Sequence, residues 1–408
     1  MDQAPSAAVR LAAVLAKTPK APDHVVFVGR AGGLFIDNGK YAFLHAVRHA
    51  PHLRCAFMTF DAGQAKLLRA KGLDAFCFDD PDGPSRLARA AIVVSDDMSW
   101  KTRTLAPLFT QGAFLVQLWH GIPLKAIGFP EIQSAVNMNP EKARDLTVGY
   151  SGYDAVLSTS PFFREKAFAR AFRAKAFWDL GYPRNDALQR APDKLDMINV
   201  DQTLYVELVR AKKQGLKIVF YMPTFRDLGG DPWGDGAFDY PLFADFARAR
   251  GVLLVCKFHP YIRLDFTGQI EHLRFCPPES DAYPLLRLAD LLMTDYSSIY
   301  FDFLLTDKPM LFFPYDFEAY VTRNRELLFD YDAFTPGPKA HDTKSLLAAM
   351  ADLLDGKDDF IQARQKLKEL SFAEPDARAG QRLLGALTEV STALGRSPDV
   401  NPNNERFP

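Results

Sequence analysis

Two histidines, a pair of adjacent serines and a Thr-x-Arg-Asp run are the residues best suited to chemistry in this chain. Each follows an apolar run. In "VQLWHGIPLKAIGF" (116–129) an apolar pattern ends at Trp119-His120-Gly121, with Pro123 and Lys125 just after. A histidine at the mouth of a strand can act as a general base; the structural alternative is a hydrogen-bonded His at the strand rim. Gly121 lets the chain turn and Pro123 prevents the strand from continuing. "VCKFHPYIR" puts His259 after a second apolar run, with Lys257 and Arg263 adding positive charge. "FYMPTFRD" ends a third run in Thr224, Arg226 and Asp227. Arg226 either pairs with Asp227 at the surface or clamps a phosphate through two parallel hydrogen bonds. "ADLLMTDYSSIYFDF" carries a strand into Thr294-Asp295, then opens a helix at Ser297-Ser298. One serine there is a routine N-cap. Two serines, with free backbone N–H groups and the helix dipole, also make an anion site suited to a diphosphate. On chemistry alone both readings stay open. "GYPRND" (181–186) is turn chemistry, and it carries Arg184.

These groups need a scaffold, and 408 residues suit two domains better than one core. With 49 basic against 50 acidic residues, the chain lacks the basic excess of a general nucleic-acid binder. Cys55, Cys77, Cys256 and Cys276 show no metal-ligand spacing and read as reduced core thiols. The two lead histidines stand far apart, with no Cys or carboxylate grouping around them, so no metal and no cofactor are expected. No apolar run reaches the roughly 18 residues of a spanning helix. Lys17 and Lys20 follow the short N-terminal apolar stretch, the reverse of a signal peptide, so a cytoplasmic location is expected. Residues 8–17 read as a weakly amphipathic helix that packs on its domain, with membrane contact as the alternative.

Short apolar runs alternate with helical patterns, the mark of α/β units around parallel sheets. Strands are expected at 24–29, 54–60, 74–78, 90–96, 112–119 and 154–160, with 176–186 closing the first half. The second half offers strands at 217–224, 252–260, 273–278, 289–298 and 308–316. Helices are expected at 39–50, 63–72, 240–251, 298–307, 343–356, 358–371 and 378–395. The polar residues singled out above recur at C-terminal ends of strands, where ligands bind in open α/β sheets.

Taken together, "QLWHGIPLKAIGF", "GYPRND", "YMPTFRD", "KFHP", "ADLLMTDYSSIYFDF" and "KPMLFFPYDFEAY" resemble the CDP-glycerol:poly(glycerophosphate) glycerophosphotransferase family, the teichoic-acid primases and polymerases. The resemblance spans roughly residues 24–335. It implies a glycosyltransferase-B-type α/β fold: two Rossmann-like domains facing a central cleft. These would be an acceptor domain (1–187) and a CDP-donor domain (188–377), with helix 378–395 returning to the first and a loose tail (396–408). It also implies His120 as catalytic base and His259 as a group that stabilises the donor diphosphate or leaving group. Ser297, Ser298, Thr224 and Arg226 would bind the donor phosphates, and Asp295 and Asp302 would orient neighbours. Trp119, Gly121, Lys125 and Arg184 would support the site. Ile122 stands where the family often has threonine, and Phe225 where it often has tryptophan.

The reaction so implied moves glycerol phosphate, or a related polyol phosphate, from a CDP-activated donor to a hydroxyl of a glycopolymer or lipid-linked acceptor, releasing CMP. Peripheral contact with the cytoplasmic face of the membrane would accompany it. One alternative is a nucleotide-sugar glycosyltransferase of the same fold, which breaks a carbon–oxygen instead of a phosphorus–oxygen bond. Another is a non-catalytic nucleotide-binding subunit of an export assembly, against which the two histidines and the double serine count.

Overall fold

The computed structural model describes residues 6–224, 226, 235–258 and 270–396. The chain forms two compact units. Met1–His120, Pro140–Asp186 and Ala377–Pro408 make the first; Gly121–Asn139 and Ala187–Asp376 make the second.

The first unit is built on seven parallel strands: β1 (Ala21–Val28), β2 (Arg54–Thr59), β3 (Ala75–Cys77), β4 (Ala90–Ser95), β5 (Phe114–Gln117), β6 (Ser151–Ser158) and β7 (Arg173–Asp179). Their spatial order is β3-β2-β1-β4-β5-β6-β7. Val, Phe and Ile dominate the central strands because both faces are covered. Val25, Val26, Phe27, Ile92 and Val94 are fully or almost fully buried. The turn after β1 depends on Gly33, at φ 113°; a Cβ there would stand 2.1 Å from Thr59 Oγ1. Helices Asp37–His49 and Ala379–Arg396 pack against each other and on β1. The first turn of the latter is fixed by Asp186, whose carboxylate accepts the N–H groups of Ala379 (3.0 Å) and Gly380 (2.9 Å). Helix Ala7–Leu15 touches the short turn Ala106–Phe109 and leaves Val9, Leu11 and Val14 exposed.

The second unit holds five parallel strands: β8 (Lys217–Tyr221), β9 (Val252–Cys256), β10 (Leu273–Phe275), β11 (Leu291–Thr294) and β12 (Met310–Phe312). They are ordered β10-β9-β8-β11-β12. Helix Gln202–Lys213, capped by Asp201, lies against β8. Helix Tyr240–Arg250 ends at Gly251 in the left-handed conformation, the glycine stop expected there. Residues 121–139, assigned to the first domain from sequence, belong to this unit. Lys125 bridges antiparallel to Leu327, and the N–H groups of Ala126 and Leu328 donate to Glu326 O (3.0 Å) and Leu124 O (2.8 Å).

Each sheet reverses its strand order once, at β1/β4 and at β8/β11. The C-terminal ends flanking such a reversal form the natural ligand crevice of an open α/β sheet. The four cysteines are buried and unpaired, two in each unit. Among the described residues, no helix is long and apolar enough to cross a membrane.

Candidate functional site

In the first unit the chain leaves β5 at Gln117, two residues earlier than the sequence pattern places the strand end. Gln117 turns back, and its Oε1 accepts the Trp119 N–H at 2.8 Å. The turn starts at Trp119, which lies at φ 58°, before Gly121 at φ 153°. A left-handed conformation at a bulky aromatic residue costs about 1–3 kcal/mol and persists only where surroundings over-determine it. The Trp119 indole is buried against Tyr150 and Phe172 and lies 3.9 Å, centroid to centroid, from the His120 ring.

His120 Nδ1 lies 2.9 Å from the Asp96 carbonyl oxygen, just past β4. A carbonyl can only accept, so Nδ1 carries the proton and Nε2 keeps its lone pair. Burial is the main cause that lowers the His120 pKa, to about 3; the Arg30 charge adds to it and Asp37 opposes it. The imidazole is therefore neutral at pH 7.

Arg184, from the "GYPRND" turn, is almost fully buried. Its Nη1 donates to Asp37 Oδ1 (2.6 Å) and to the His120 carbonyl (2.9 Å). Arg30 pairs with the other oxygen of Asp37. Burial pushes the Asp37 carboxyl up, but Arg184 and Arg30 outweigh it and hold the pKa at about 2. Asp96 goes the other way: burial first, then the nearby Asp37 charge, raises its pKa well above the usual value. Its Oδ2 accepts the Gly39 N–H at 2.8 Å, while Oδ1 is buried with no hydrogen-bond partner. Asp37, Asn38, Asp96 and Arg30 are not among the residues singled out from sequence. The available signal is Asp-Asn-Gly at 37–39, where the helix begins two residues before the predicted start.

In the second unit Thr224 and Arg226 follow β8, and Asp295, Ser297 and Ser298 follow β11. Asp295 Oδ1 accepts the N–H groups of Thr224 (2.8 Å), Tyr296 (2.5 Å) and Ser297 (3.2 Å). One carboxylate oxygen thus ties the two strand ends together. Its other oxygen accepts from Arg226 Nη1 at 2.6 Å. Arg226 also donates twice to Asp316, at 2.8 Å each, and to the Thr224 carbonyl at 2.5 Å. Tyr296, Tyr315 and Tyr320 ring the guanidinium at 5.1–5.3 Å. Burial alone would lower its pKa, but Asp295 and Asp316 raise it instead.

In this arrangement the Arg226 guanidinium faces carboxylates of its own unit. Two carboxylates neutralise the guanidinium, and its contribution is to fix Asp295. Likewise, the N–H groups of Tyr296 and Ser297 point to Asp295 and not outward. Ser298 occupies the N-cap position of helix Ile299–Phe303, yet its hydroxyl makes no capping bond. Plain capping thus fails to account for Ser298. Ser297 and Ser298 are half-buried residues, and Thr224 Oγ1 is buried without a partner.

Asp302 is fully buried and accepts the Tyr283 hydroxyl at 2.6 Å, an orienting contact. The Lys125 ammonium stands 5.9 Å from the Tyr320 ring centroid. Phe225, Asp227, His259 and Arg263 lie outside the described residues. Among the described residues, no group of three His, Cys, Asp or Glu side chains could hold a metal ion. The structure thus assembles Trp119, His120 and Arg184 in one network, and Thr224, Arg226, Asp295 and Ser297 in another.

The profile of the CDP-Glycerol:Poly(glycerophosphate) glycerophosphotransferase family matches residues 10–389. The teichoic acid poly(glycerol phosphate) polymerase of Bacillus spizizenii is 27% identical over 274 residues, 64% of this chain and 67% of that protein. The teichoic acid glycerol-phosphate transferase of Staphylococcus aureus is 26% identical over 280 residues, 66% of this chain and 69% of that one. Among solved structures, the wall teichoic acid polymerase TagF superposes with a TM-score of 0.71 at 22% identity, covering 95% of this chain and 94% of that one. At that identity the superposition speaks for the fold alone. With the profile matched over nearly its whole length, the chain belongs to the CDP-glycerol:poly(glycerophosphate) glycerophosphotransferase family and is a glycerophosphotransferase-like enzyme.

Proposed function

We propose that the enzyme transfers glycerol phosphate, or a related polyol phosphate, from a CDP-activated donor to a hydroxyl of a teichoic-acid-type glycopolymer or lipid-linked acceptor. His120 is the general base. The observation that carries this reading is the tautomer: with Nδ1–H held by the Asp96 carbonyl, the basic nitrogen is Nε2. The acceptor oxygen attacks the phosphorus that bears the polyol. Its proton passes to Nε2 as the bond between that phosphorus and the bridging oxygen breaks, and CMP leaves with the electron pair. A pKa of about 3 keeps the imidazole unprotonated in the resting enzyme. The negative charge of a donor diphosphate brought near the ring would raise that pKa and make Nε2 a stronger base.

The donor phosphates fall to the second unit. The unpartnered Thr224 hydroxyl and the Ser297 and Ser298 hydroxyls are the donors available there, on a turn that Asp295 and Arg226 hold. Preorganised donors of this kind stabilise developing charge without rearrangement. His259 is assigned to the same phosphate site on the sequence motif alone. Peripheral membrane contact is proposed through helix Ala7–Leu15, whose Val9, Leu11 and Val14 are exposed; vesicle sedimentation with a Val14→Asp variant tests it.

His120→Ala should cost about 10²–10⁴-fold in single-turnover CMP release, with CDP-glycerol binding retained by calorimetry and a near-normal melt. Normal turnover in that variant would make His120 a strand-end residue and remove the mechanism. A parallel screen of CDP-glycerol, CDP-ribitol and UDP- or GDP-sugars, read as released nucleotide, identifies the donor.

A further inference from the structure

We infer that Asp37 and Asn38 are positioning residues that hold the Trp119–His120 turn in the shape the base requires. This assignment rests on His120 being the base and names the groups that aim it. The turn contains a strained residue, Trp119 at φ 58°, and Asp37 itself lies at φ 61°. Two non-glycine residues with left-handed backbones, 82 positions apart in sequence, belong to one hydrogen-bonded cluster.

The bonds of that cluster converge on the peptides flanking the His120 Cα. Asn38 Nδ2 donates to the Trp119 carbonyl at 2.8 Å, which fixes the peptide before His120. Arg184 Nη1 donates to the His120 carbonyl at 2.9 Å, which fixes the peptide after it. Arg184 is held in turn by Asp37 Oδ1 at 2.6 Å and by Asn38 Oδ1, which accepts the Arg184 N–H at 3.2 Å. Asp37 Oδ1 also accepts the Asn38 N–H at 2.7 Å, so the two residues brace each other. With both flanking carbonyls pinned, the backbone of His120 has no freedom to swing the ring. The remaining side-chain rotation is limited by the Asp96 carbonyl and the Trp119 indole. Asn38 is 0% and Asp37 6% exposed, so both act through His120 and not on substrate.

The test compares Asn38→Ala, Asn38→Asp, Asp37→Asn and His120→Ala. The assay uses CDP-glycerol and a synthetic lipid-linked acceptor ending in glycerol phosphate. Asn38→Asp is nearly isosteric and keeps an acceptor for the Arg184 N–H, but it replaces the donor to the Trp119 carbonyl with an acceptor. We expect kcat to fall about 10- to 100-fold in both Asn38 variants and in Asp37→Asn, the scale of loss when a reacting group is displaced by about 1 Å. The CDP-glycerol Kd should stay the same. In ¹⁵N-imidazole spectra, with His120 assigned by its absence in His120→Ala, the single Nδ1–H tautomer should give way to a mixture. Wild-type kcat in the Asn38 and Asp37 variants beside an inactive His120→Ala would overturn the positioning role and leave the base intact. Full activity in His120→Ala would instead remove the base assignment. Loss of kcat with an unchanged His120 tautomer, or unfolding of all three positioning variants, would reduce Asp37 and Asn38 to structural residues.

Discussion

The two carboxylates beside His120 respond to pH in opposite directions. Asp37 is held at about 2, below its usual 3.8, so its ion pairs add stability that is present above about pH 4 and lost as pH falls through 2. That shift corresponds to about 2 kcal/mol. Urea titrations should therefore show Asp37→Asn destabilised at pH 7, with the deficit shrinking steadily below pH 4. Asp96 has a raised pKa, so its contribution to stability falls as pH rises above the ordinary carboxylate range. Asp96→Asn cannot ionise, and its stability relative to the parent should improve from pH 4 to pH 8. A gap that stays constant across that range would mean that Asp96 titrates as an ordinary exposed acid. These opposed shifts arise because Arg30 and Arg184 both face Asp37, while Asp96 is buried beside the Asp37 charge, with one backbone N–H on Oδ2 and no hydrogen-bond partner on Oδ1.

At the scale of the element, the strand-to-helix turn after β11 is organised by a chain of contacts: Asp316 to Arg226, Arg226 to Asp295, Asp295 to three backbone N–H groups. The direction of one substitution distinguishes its possible roles. If Arg226 touched the donor directly, Asp316→Ala would free the guanidinium and tighten CDP-glycerol binding. In the arrangement found here, Asp316→Ala should weaken binding by about tenfold and destabilise the second unit by about 3–5 kcal/mol, because it leaves a buried charge partly unpaired. Calorimetric Kd values and urea melts measure both. The turn was legible from sequence as a strand, a pair of serines and a helix, since local periodicity and polar punctuation specify those. The use of its groups was not legible. Asp316 stands 90 positions from Arg226, and only the strand order brings them together. Helix Gln202–Lys213 shows a different failure: it is missing from the sequence expectations, because Tyr205, Val206 and Val209 blur the buried stripe of Leu204, Leu208 and Ala211. The end of β5 was misplaced because Leu118 and Trp119 continue the apolar run, while the turn is imposed by contacts from Gln117 and from Asn38, 81 positions away.

At the scale of the whole molecule, alternating apolar and helical segments specify two parallel sheets, and the structure contains both with the same reversal of order. Sequence did not reveal that residues 121–139 leave the first unit, because their pairing partners at 326–328 lie some two hundred positions on. Asp186 shows how the first unit closes over its long excursion: it ends one stretch of that unit and caps the helix that resumes it. Asp186→Ala exposes two orphan N–H groups and should cost the first unit about 1–2 kcal/mol. Three of the four tryptophans, Trp100, Trp119 and Trp178, lie in that unit and Trp233 falls in the other, so tryptophan fluorescence should follow the shift mainly through the first unit; an unchanged midpoint would mean the cap is idle.

The buried cysteines turn the protein into its own unfolding gauge. Burial pushes the Cys55 thiol up to about 12 and raises Cys256 and Cys276 as well. In the folded state they present almost no thiolate to an aromatic disulfide or a maleimide. Labelling must then wait for an opening event, and its rate at neutral pH reports the population of opened molecules. Since Cys55 and Cys77 belong to one unit and Cys256 and Cys276 to the other, mass spectrometry of the labelled peptides would time the two units separately in a single tube. A cysteine introduced at an exposed position such as Val206 could likewise be tagged alone, with the native thiols left in place.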